Sequence, residues 1–400
     1  MCSFPDHARI SPSGSRAAAP RRAEGFSVVE MLVGVAIGML VLATVSAMLI
    51  RHEGTRRGVS ASSEVTVGTS HLAYLLDRTL RSAGSGFAQN GPETFGCALR
   101  AAHRGVMLLP RAVPFPAPFA AVPTDYRLAP VLVHPGAGAD GSDIIAVASG
   151  HASMGGAGMR VPPSPITASA IPLHSTLSLR PRELLLLAQS GQPCMLQQID
   201  AAFAPGVTTE ALLGGPYATP SIADTTVSDY GVDAFPFVMP LGRPEIDPPT
   251  LQLIGIGADA TLFGFDLLAL DGSTRSVPLE SGVVALRVRY GVDTDGAPGV
   301  DRWVAPTEAD YLPASLSDGS AAARERLLGI LALRVALVVR DTQLERDPVA
   351  PATLTLFPDL PAGLQVTVEL DGPARRLRHR TLEFTVPLRN VILAGAGAGR

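Results

Sequence analysis

Residues 24–54 read EGFSVVEMLVGVAIGMLVLATVSAMLIRHEG, and within them lies a long apolar run that contains one carboxylate. The run covers residues 26–50, which are 25 residues without Lys, Arg, Asp or His. An α-helix needs about 20 apolar residues to cross the hydrocarbon core of a bilayer. A cleaved secretory signal has only about 7–15 apolar residues before a small-residue cleavage site. The run therefore predicts a membrane-spanning helix that is retained.

The carboxylate in this run, Glu30, needs an explanation of its own. A charged side chain in a membrane helix costs on the order of 2–3 kcal/mol even on mild insertion scales. One interpretation is that Glu30 lies at the depth of the lipid headgroups, where charges near a helix end are tolerated. The other is that Glu30 has a partner of opposite charge and a defined role.

The residues before the run favour the second interpretation. Residues 1–25 are polar, carry four arginines against two acids, and end in Gly25 directly before Phe26. The order of a basic leader, Gly, an aromatic residue, Ser-Val-Val-Glu and an apolar helix resembles the class III signal of type IV prepilins and type II secretion pseudopilins. The resemblance implies that a prepilin peptidase cuts after Gly25 and methylates Phe26, so that Glu30 becomes the fifth mature residue. The alternative is a plain signal anchor.

The same resemblance implies a role for Glu30 that has a physical basis. Cleavage would leave a positive amine on Phe26, and packing of subunits could set that amine against Glu30 of a neighbour. Two buried charges that satisfy each other are tolerated where a lone buried charge is not. Glu30 would then fix the register between subunits and would not be an acid catalyst.

Composition favours an exported, non-catalytic protein. The 400 residues are 46% hydrophobic and include 40 Gly and 35 Pro, which predicts many turns and mostly β structure after residue 85. A net charge of −4 gives no basic surface of the kind that binds nucleic acid. The chain has no lysine, which excludes a Walker A lysine and Schiff-base chemistry. The eight histidines are scattered, without HExxH, GxSxG or CxxC motifs. We therefore expect no enzymatic activity and no cofactor.

Two cysteines remain for the mature protein, because Cys2 lies in the leader. In an exported domain Cys97 and Cys194 predict one disulfide, since oxidising compartments disfavour a free exposed thiol. Two separate buried thiols are the alternative. A bridge would tie the end of the first helix to a predicted hairpin across a long loop. By the chain-entropy model it would contribute about 4 kcal/mol to the free energy of unfolding.

The helix is predicted to continue past the apolar run, because apolar residues recur there at helical spacing. Gly84-Ser85-Gly86 is a stop signal, and Gly54 and Gly58 would allow a bend. The recurring positions are Val65, Leu72, Leu75, Leu76 and Leu80. The predicted organisation is a cleaved leader (1–25), a transmembrane half-helix (26–50), an amphipathic half-helix (51–84), a β-rich head with long Pro/Gly-rich loops (85–393) and a flexible tail (394–400).

Runs of β-branched and apolar residues in the head predict eight strands. The run VVALRVRY predicts a half-buried strand, with Val284, Leu286, Val288 and Tyr290 on the core face and Arg287 and Arg289 on the solvent face. A short helix is predicted at 324–328, and loops at 109–123, 134–141, 150–172 and 201–249. The predicted strands are 143–148, 183–188, 195–199, 261–270, 283–290, 330–339, 365–370 and 382–388.

Several segments together resemble the PilW family of minor type IV pilins. They share a cysteine soon after the helix, a strand leading into RYGVDTDG, an LRVAL strand and a terminal Leu-Arg-Asn. The likeness runs in patches from Gly25 to about Leu393, but the leader is long and the loops between residues 100 and 250 match no known pattern. In chain order the patches are LLDRTLRSAGSGFAQNGPETFGC, GSDIIAVAS, RELLLLAQSGQPCMLQQI, SGVVALRVRYGVDTDG, ILALRVALVVR and HRTLEFTVPLRNVIL.

The PilW resemblance implies an α+β, pilin-like fold in which a long N-terminal helix packs on an antiparallel β-rich head. It also implies that the protein is a minor pilin. The precursor would lie in the inner membrane with its head in the periplasm, and the processed protein would then enter a pilus, in or near its tip. Its partners would be a prepilin peptidase, other minor pilins and the major pilin. A J-type minor pseudopilin of a type II secretion system is an alternative function. A membrane-anchored binding or adhesion module that never polymerises is another.

Two further motifs in the head allow a functional and a structural interpretation. Asp293, Asp295 and Asp301 resemble the opening of a calcium loop, but a third ligand before the glycine and a closing Glu are missing. A plain Asp-Gly turn is favoured, so we expect no metal. A basic run at 375–380 precedes the last strand, where charges often protect a sheet edge. Contact with DNA is the alternative for that run, although no nucleic-acid partner is expected.

Overall fold

The computed structural model describes residues 27–151, 158–270, 274–297 and 299–397. Within the first helix, side chains are described up to Met48 and again from Thr69. The predicted leader, Gly25 and Phe26 therefore lie outside the described residues. The described chain forms the α-helices α1 (Val28–Arg81), α2 (Gly91–Thr94), α3 (Pro313–Leu316), α4 (Ala321–Gly329) and α5 (Arg389–Gly397).

The same residues form 21 β-strands, most of them short. In chain order they are β1 (Leu99–His103), β2 (Val106–Leu109), β3 (Val131–His134), β4 (Ile144–Ser149), β5 (Met159–Arg160), β6 (Ala170–Pro172), β7 (Leu184–Ala188), β8 (Cys194–Gln198), β9 (Glu210–Leu212), β10 (Ser221–Ile222), β11 (Thr225–Thr226), β12 (Phe237–Gly242), β13 (Thr250–Gly257), β14 (Thr261–Asp266), β15 (Val277–Ser281), β16 (Val283–Val292), β17 (Arg302–Val304), β18 (Ile330–Arg340), β19 (Thr353–Leu356), β20 (Val366–Glu369) and β21 (His379–Pro387).

Three larger sheets build the head. Their strand orders are β2-β1-β8-β7-β12-β5, β15-β14-β13-β4-β3 and β17-β16-β18-β21. Among the described strands only β1 and β8 pair in parallel, at Leu99 with Cys194 and Arg100 with Met195. The predicted α+β class, with an apolar N-terminal helix and mainly antiparallel sheets, is therefore confirmed.

The C-terminal part of α1 packs into the head as the predicted amphipathic helix. Leu72, Leu76 and Leu80 are buried at intervals of four residues in the core that also contains strands of all three larger sheets. The helix ends at Arg81. Three residues later Gly84 has a φ of 78° and donates its N–H to Ala148 O at 2.8 Å, which confirms the predicted stop. The α1 backbone is helical through Gly54 and Gly58.

The four-stranded sheet centres on β18, which pairs with β16 on one side and β21 on the other. Between β18 and β21 the chain makes an insertion, residues 341–378, that carries the hairpin β19-β20. Leu356, Phe357 and Leu360 of this insertion are buried against small side chains of the sheet, namely Ala285, Ala336 and Val338. The insertion therefore covers a second face of the sheet.

This cover corrects the predicted half-buried strand. Arg289, predicted on the solvent face, is only 8% exposed and donates Nε to Leu364 O at 2.9 Å. Its guanidinium also lies 5.2 Å from the ring centre of Phe357. The predicted alternation of β16 is confirmed from Leu286 to Tyr290, but period-2 alternation cannot show that a later segment folds back over the polar face.

A bulge in β16 corrects one core position. The register with β18 shifts between Val283 and Ala285, because one strand carries an extra residue there. Val283 consequently joins Leu286 in the main core, whereas Val284 packs on the side covered by β19-β20. The predicted core positions Leu286, Val288 and Tyr290 are confirmed.

The eight predicted strands and the short helix all correspond to observed elements, within a few residues at their ends. The predicted loop at 201–249 contains β9, β10, β11 and all of β12, and the loop at 150–172 contains β5 and β6. The predicted tail also differs from the structure, because α5 continues to Gly397 and Ala394 is 8% exposed.

Candidate functional site

The apolar segment of α1 is an uncovered surface in the described chain. Residues Val28–Met48 form a 21-residue stretch with mean hydropathy 2.4, long and apolar enough to cross a membrane. Every described side chain of residues 27–48 is exposed. Such a surface requires either lipid or other apolar helices around it. The segment therefore fits a single-pass membrane anchor.

Glu30 lies in the first turn of this helix, with its side chain exposed. Ser27 precedes the helix and accepts a hydrogen bond from Val29 N at 3.3 Å, as an N-cap residue does. A carboxylate three residues after such a cap is favourably placed for the helix dipole. Glu30 therefore has a local structural role that the sequence interpretation missed, although the Ser-x-x-Glu spacing could have shown it. Its predicted partner, the amine of Phe26, lies outside the described residues, so the pairing stays a prediction.

Cys97 and Cys194 form a disulfide, as predicted, with their Cα atoms 5.5 Å apart. The bridge lies where β1 and β8 run in parallel, since Leu99 is the register partner of Cys194. Both cysteines are at least nine-tenths buried. The disulfide joins positions 97 residues apart in sequence and fastens the segment after α1 to the six-stranded sheet.

The terminal Leu-Arg-Asn provides a contact that sequence reasoning did not assign. Asn390, at the start of α5, donates Nδ2 to Ser82 O at 3.1 Å and to Ala83 O at 3.0 Å. The carbonyls at the end of a helix have no partner within the helix and need one from elsewhere. Asn390 therefore fastens the C-terminal helix to the end of α1.

The structure brings Asp293, Asp295 and Asp301 together, with one carboxylate oxygen of each within 4.8 Å of the others. Asp293 accepts a hydrogen bond from Gly296 N at 2.7 Å, and Asp301 accepts from both the N–H and the hydroxyl of Thr294. The Thr294 bonds hold the pKa of Asp301 below its usual value. The carboxylates thus stabilise the turn between β16 and β17, and the expectation of a plain Asp-Gly turn without a metal stays a prediction.

The basic run before β21 has a structural use. Arg378 pairs with Glu345 at 2.9 Å, Arg376 donates Nε to Glu345 O at 2.8 Å, and Arg375 donates to Ala350 O at 3.3 Å. Each contact reaches the segment that follows β18. These three arginines therefore fasten the two ends of the insertion to each other, which leaves them less free to contact DNA.

Residues 258–390 match the family model described as Type IV Pilus-assembly protein W. The resemblance to the PilW family is confirmed. No curated protein and no solved structure matches the chain.

The PilW match covers a defined part of the head. It begins between β13 and β14 and ends at Asn390, so it contains the complete four-stranded sheet and the insertion. The three aspartates and the arginines of the basic run lie inside it. The disulfide, the six-stranded sheet and α1 lie outside it. The match covers 133 of the 400 residues, and the matched family is described as one of type IV pilus assembly.

Proposed function

We propose that this protein is a minor type IV pilin that helps to prime pilus assembly and takes a place in or near the pilus tip. The observation that carries the proposal is the PilW match in the head of a chain whose N-terminal helix is apolar and uncovered. Other pilus subunits are the natural cover for such a helix once it leaves the bilayer. A pilin-like head that contacts those subunits completes the proposal.

In this proposal the precursor lies in the inner membrane with its head in the periplasm. A prepilin peptidase cleaves between Gly25 and Phe26 and methylates Phe26. The new amine then pairs with Glu30 of a neighbouring subunit. The protein works as an assembly component, with no reaction of its own. The disulfide supports this location, because such bridges persist in oxidising compartments.

The N-terminal peptide of the membrane-extracted protein tests the processing step. We expect mass spectrometry to find a peptide that begins at Phe26 and carries one added methyl group. An intact leader, in cells whose prepilin peptidase processes other substrates, would instead make the chain a signal-anchored protein.

The variant Glu30→Ala tests the role of the carboxylate. We expect normal cleavage but less protein in sheared pili, because the buried amine of a neighbour would lose its partner. Thr44→Ala is the matched control, since Thr44 lies on the same segment and its described hydrogen bond is to Val41 O of its own helix. Equal incorporation of both variants would remove the pairing argument.

A deletion strain that kept its pili but failed to secrete enzymes would favour the pseudopilin alternative.

A further inference from the structure

A cavity of about 450 Å³ lies in the head between α3 and the segment 122–134. Its walls are mostly apolar and include Val122, Pro123, Leu132, Pro313 and Ala314. The volume is within the range of roughly 300–1,000 Å³ that small-molecule sites occupy. The cavity is separate from the apolar segment of α1 and from the three aspartates.

The charged side chains on the cavity wall already have partners. Asp125 pairs with Arg100 at 2.8 Å, and Arg127 donates to Gly96 O at 3.0 Å. Asp318 accepts a hydrogen bond from Ser320 N at 2.7 Å. Arg127 also lies 3.8 Å from Asp125. The guanidinium groups of Arg100 and Arg127 and the two carboxylates carry equal and opposite charge, so the cavity does not favour an ionic ligand.

One uncharged polar side chain on the wall has no hydrogen-bond partner. The ring of His134 makes no hydrogen bond to the described residues, although the residue is only 9% exposed. Its ring nitrogens are not among the fully enclosed atoms, unlike the hydroxyl of Tyr126, which lies out of reach of anything in the cavity. Most buried polar groups in proteins are hydrogen-bonded, so the unpartnered imidazole calls for a ligand or for water.

His134 is an uncharged imidazole under ordinary conditions, because burial lowers its pKa to about 4. A neutral imidazole offers one N–H donor and one acceptor nitrogen. The complementary group is one that both donates and accepts while remaining neutral, such as an amide or a hydroxyl.

We propose that this cavity binds a small uncharged molecule with an apolar body and one amide or hydroxyl group, which hydrogen-bonds to His134. The apolar body fills the space beside Leu132 and Pro313. A segment of another protein, with an apolar side chain and a peptide amide, would offer similar chemistry. Crosslinking from position 314 distinguishes such a protein from a small molecule. The inference does not depend on the pilin function.

Binding is tested with N-acetyl-leucinamide, measured by saturation-transfer NMR on the full-length protein in detergent. We expect wild type to bind this amide, and to bind its charged analogue N-acetyl-leucine more weakly. His134→Phe keeps an aromatic ring but removes the donor and the acceptor, and should weaken binding by about 2–10-fold.

A second pair of variants keeps the test valid if His134→Phe does not fold. Ala314→Trp places a bulky side chain on an exposed position of the cavity wall, whereas Ala322→Trp makes the same change on an exposed face of α4 away from the cavity. We expect the first to abolish binding and the second to leave it unchanged. Equal binding by the two, or by the amide and the carboxylate, would overturn the proposal. So would crosslinking of position 314 to another protein together with no binding of the amide.

Discussion

Among single residues, Glu183 gives the head a specific dependence on pH. It is 2% exposed, and its Oε2 accepts a hydrogen bond from Arg180 N at 2.9 Å. Burial raises the pKa of its carboxyl group to about 7, against the opposing effect of that hydrogen bond and of nearby arginines. The folded state then binds the proton more tightly than the unfolded state, whose pKa is about 4.5. Stability contributed by Glu183 is therefore present below pH 4.5 and is lost as pH rises through 7.

The variant Glu183→Gln should remove this dependence. Between pH 5 and pH 8 we expect the free energy of unfolding of wild type to fall relative to the variant by roughly 1–3 kcal/mol. Urea unfolding at several pH values measures the difference. Glu245→Gln is the control, because the Glu245 side chain is 70% exposed and pairs only at the surface with Arg182. Parallel curves for wild type and Glu183→Gln would contradict the interpretation.

The disulfide makes a second prediction for single residues. Replacing both Cys97 and Cys194 with alanine should lower the free energy of unfolding by roughly 4–5 kcal/mol, because a bridge between positions 97 residues apart restricts the unfolded chain. Thermal unfolding with and without a reducing agent measures this effect. The reducing agent should destabilise wild type and leave the double variant unchanged. A loss below about 1 kcal/mol would show that the bridge adds little to the paired strands.

At the scale of secondary-structure elements, the contact between the helices α1 and α5 depends on Asn390. Asn390→Ala should destabilise the head by about 1–2 kcal/mol, because the carbonyl of Ala83 loses its donor, while the carbonyl of Ser82 keeps the bond from Ser85 N at 3.0 Å. Amide hydrogen exchange should become faster over the last turn of α1 and the start of α5. Arg389→Ala is the matched control on an exposed position of the same helix. Unchanged exchange in Asn390→Ala would mean that apolar packing alone fastens the two helices.

The sheets show which elements sequence patterns predict. The apolar or alternating runs of β4, β7, β16 and β18 predict those strands. Short strands such as β10 and β11 are not predicted, because two residues carry too little periodicity. The eight-residue β13, at the centre of the five-stranded sheet, is not predicted either. The covered face of β16 was also missed, since Phe357 and Leu364 meet Arg289 only after the insertion folds back.

For the whole molecule, the separation of the chain into two compact units predicts the result of a truncation. The chain separates into Met1–Ser60 and Ala61–Arg400, and the buried leucines of α1 all lie in the second unit. We expect residues 61–400, exported to an oxidising compartment, to form a soluble folded monomer, because the exposed apolar segment is removed while the core is kept. Size-exclusion chromatography and circular dichroism check this. Aggregation of every truncation near Ser60 under oxidising conditions would contradict the division.

By itself the sequence determined the apolar helix, its stop at Gly84, eight of the strands and the expected pairing of Cys97 with Cys194. These features depend on local composition and periodicity or, for the disulfide, on the two cysteines that follow the predicted leader. Tertiary structure alone decided the parallel contact of β1 with β8, the cover over Arg289, the bonds from Asn390 to α1 and the cavity beside His134. Each of these joins residues far apart in the chain, and such contacts are set by how the whole core packs, which no local pattern records.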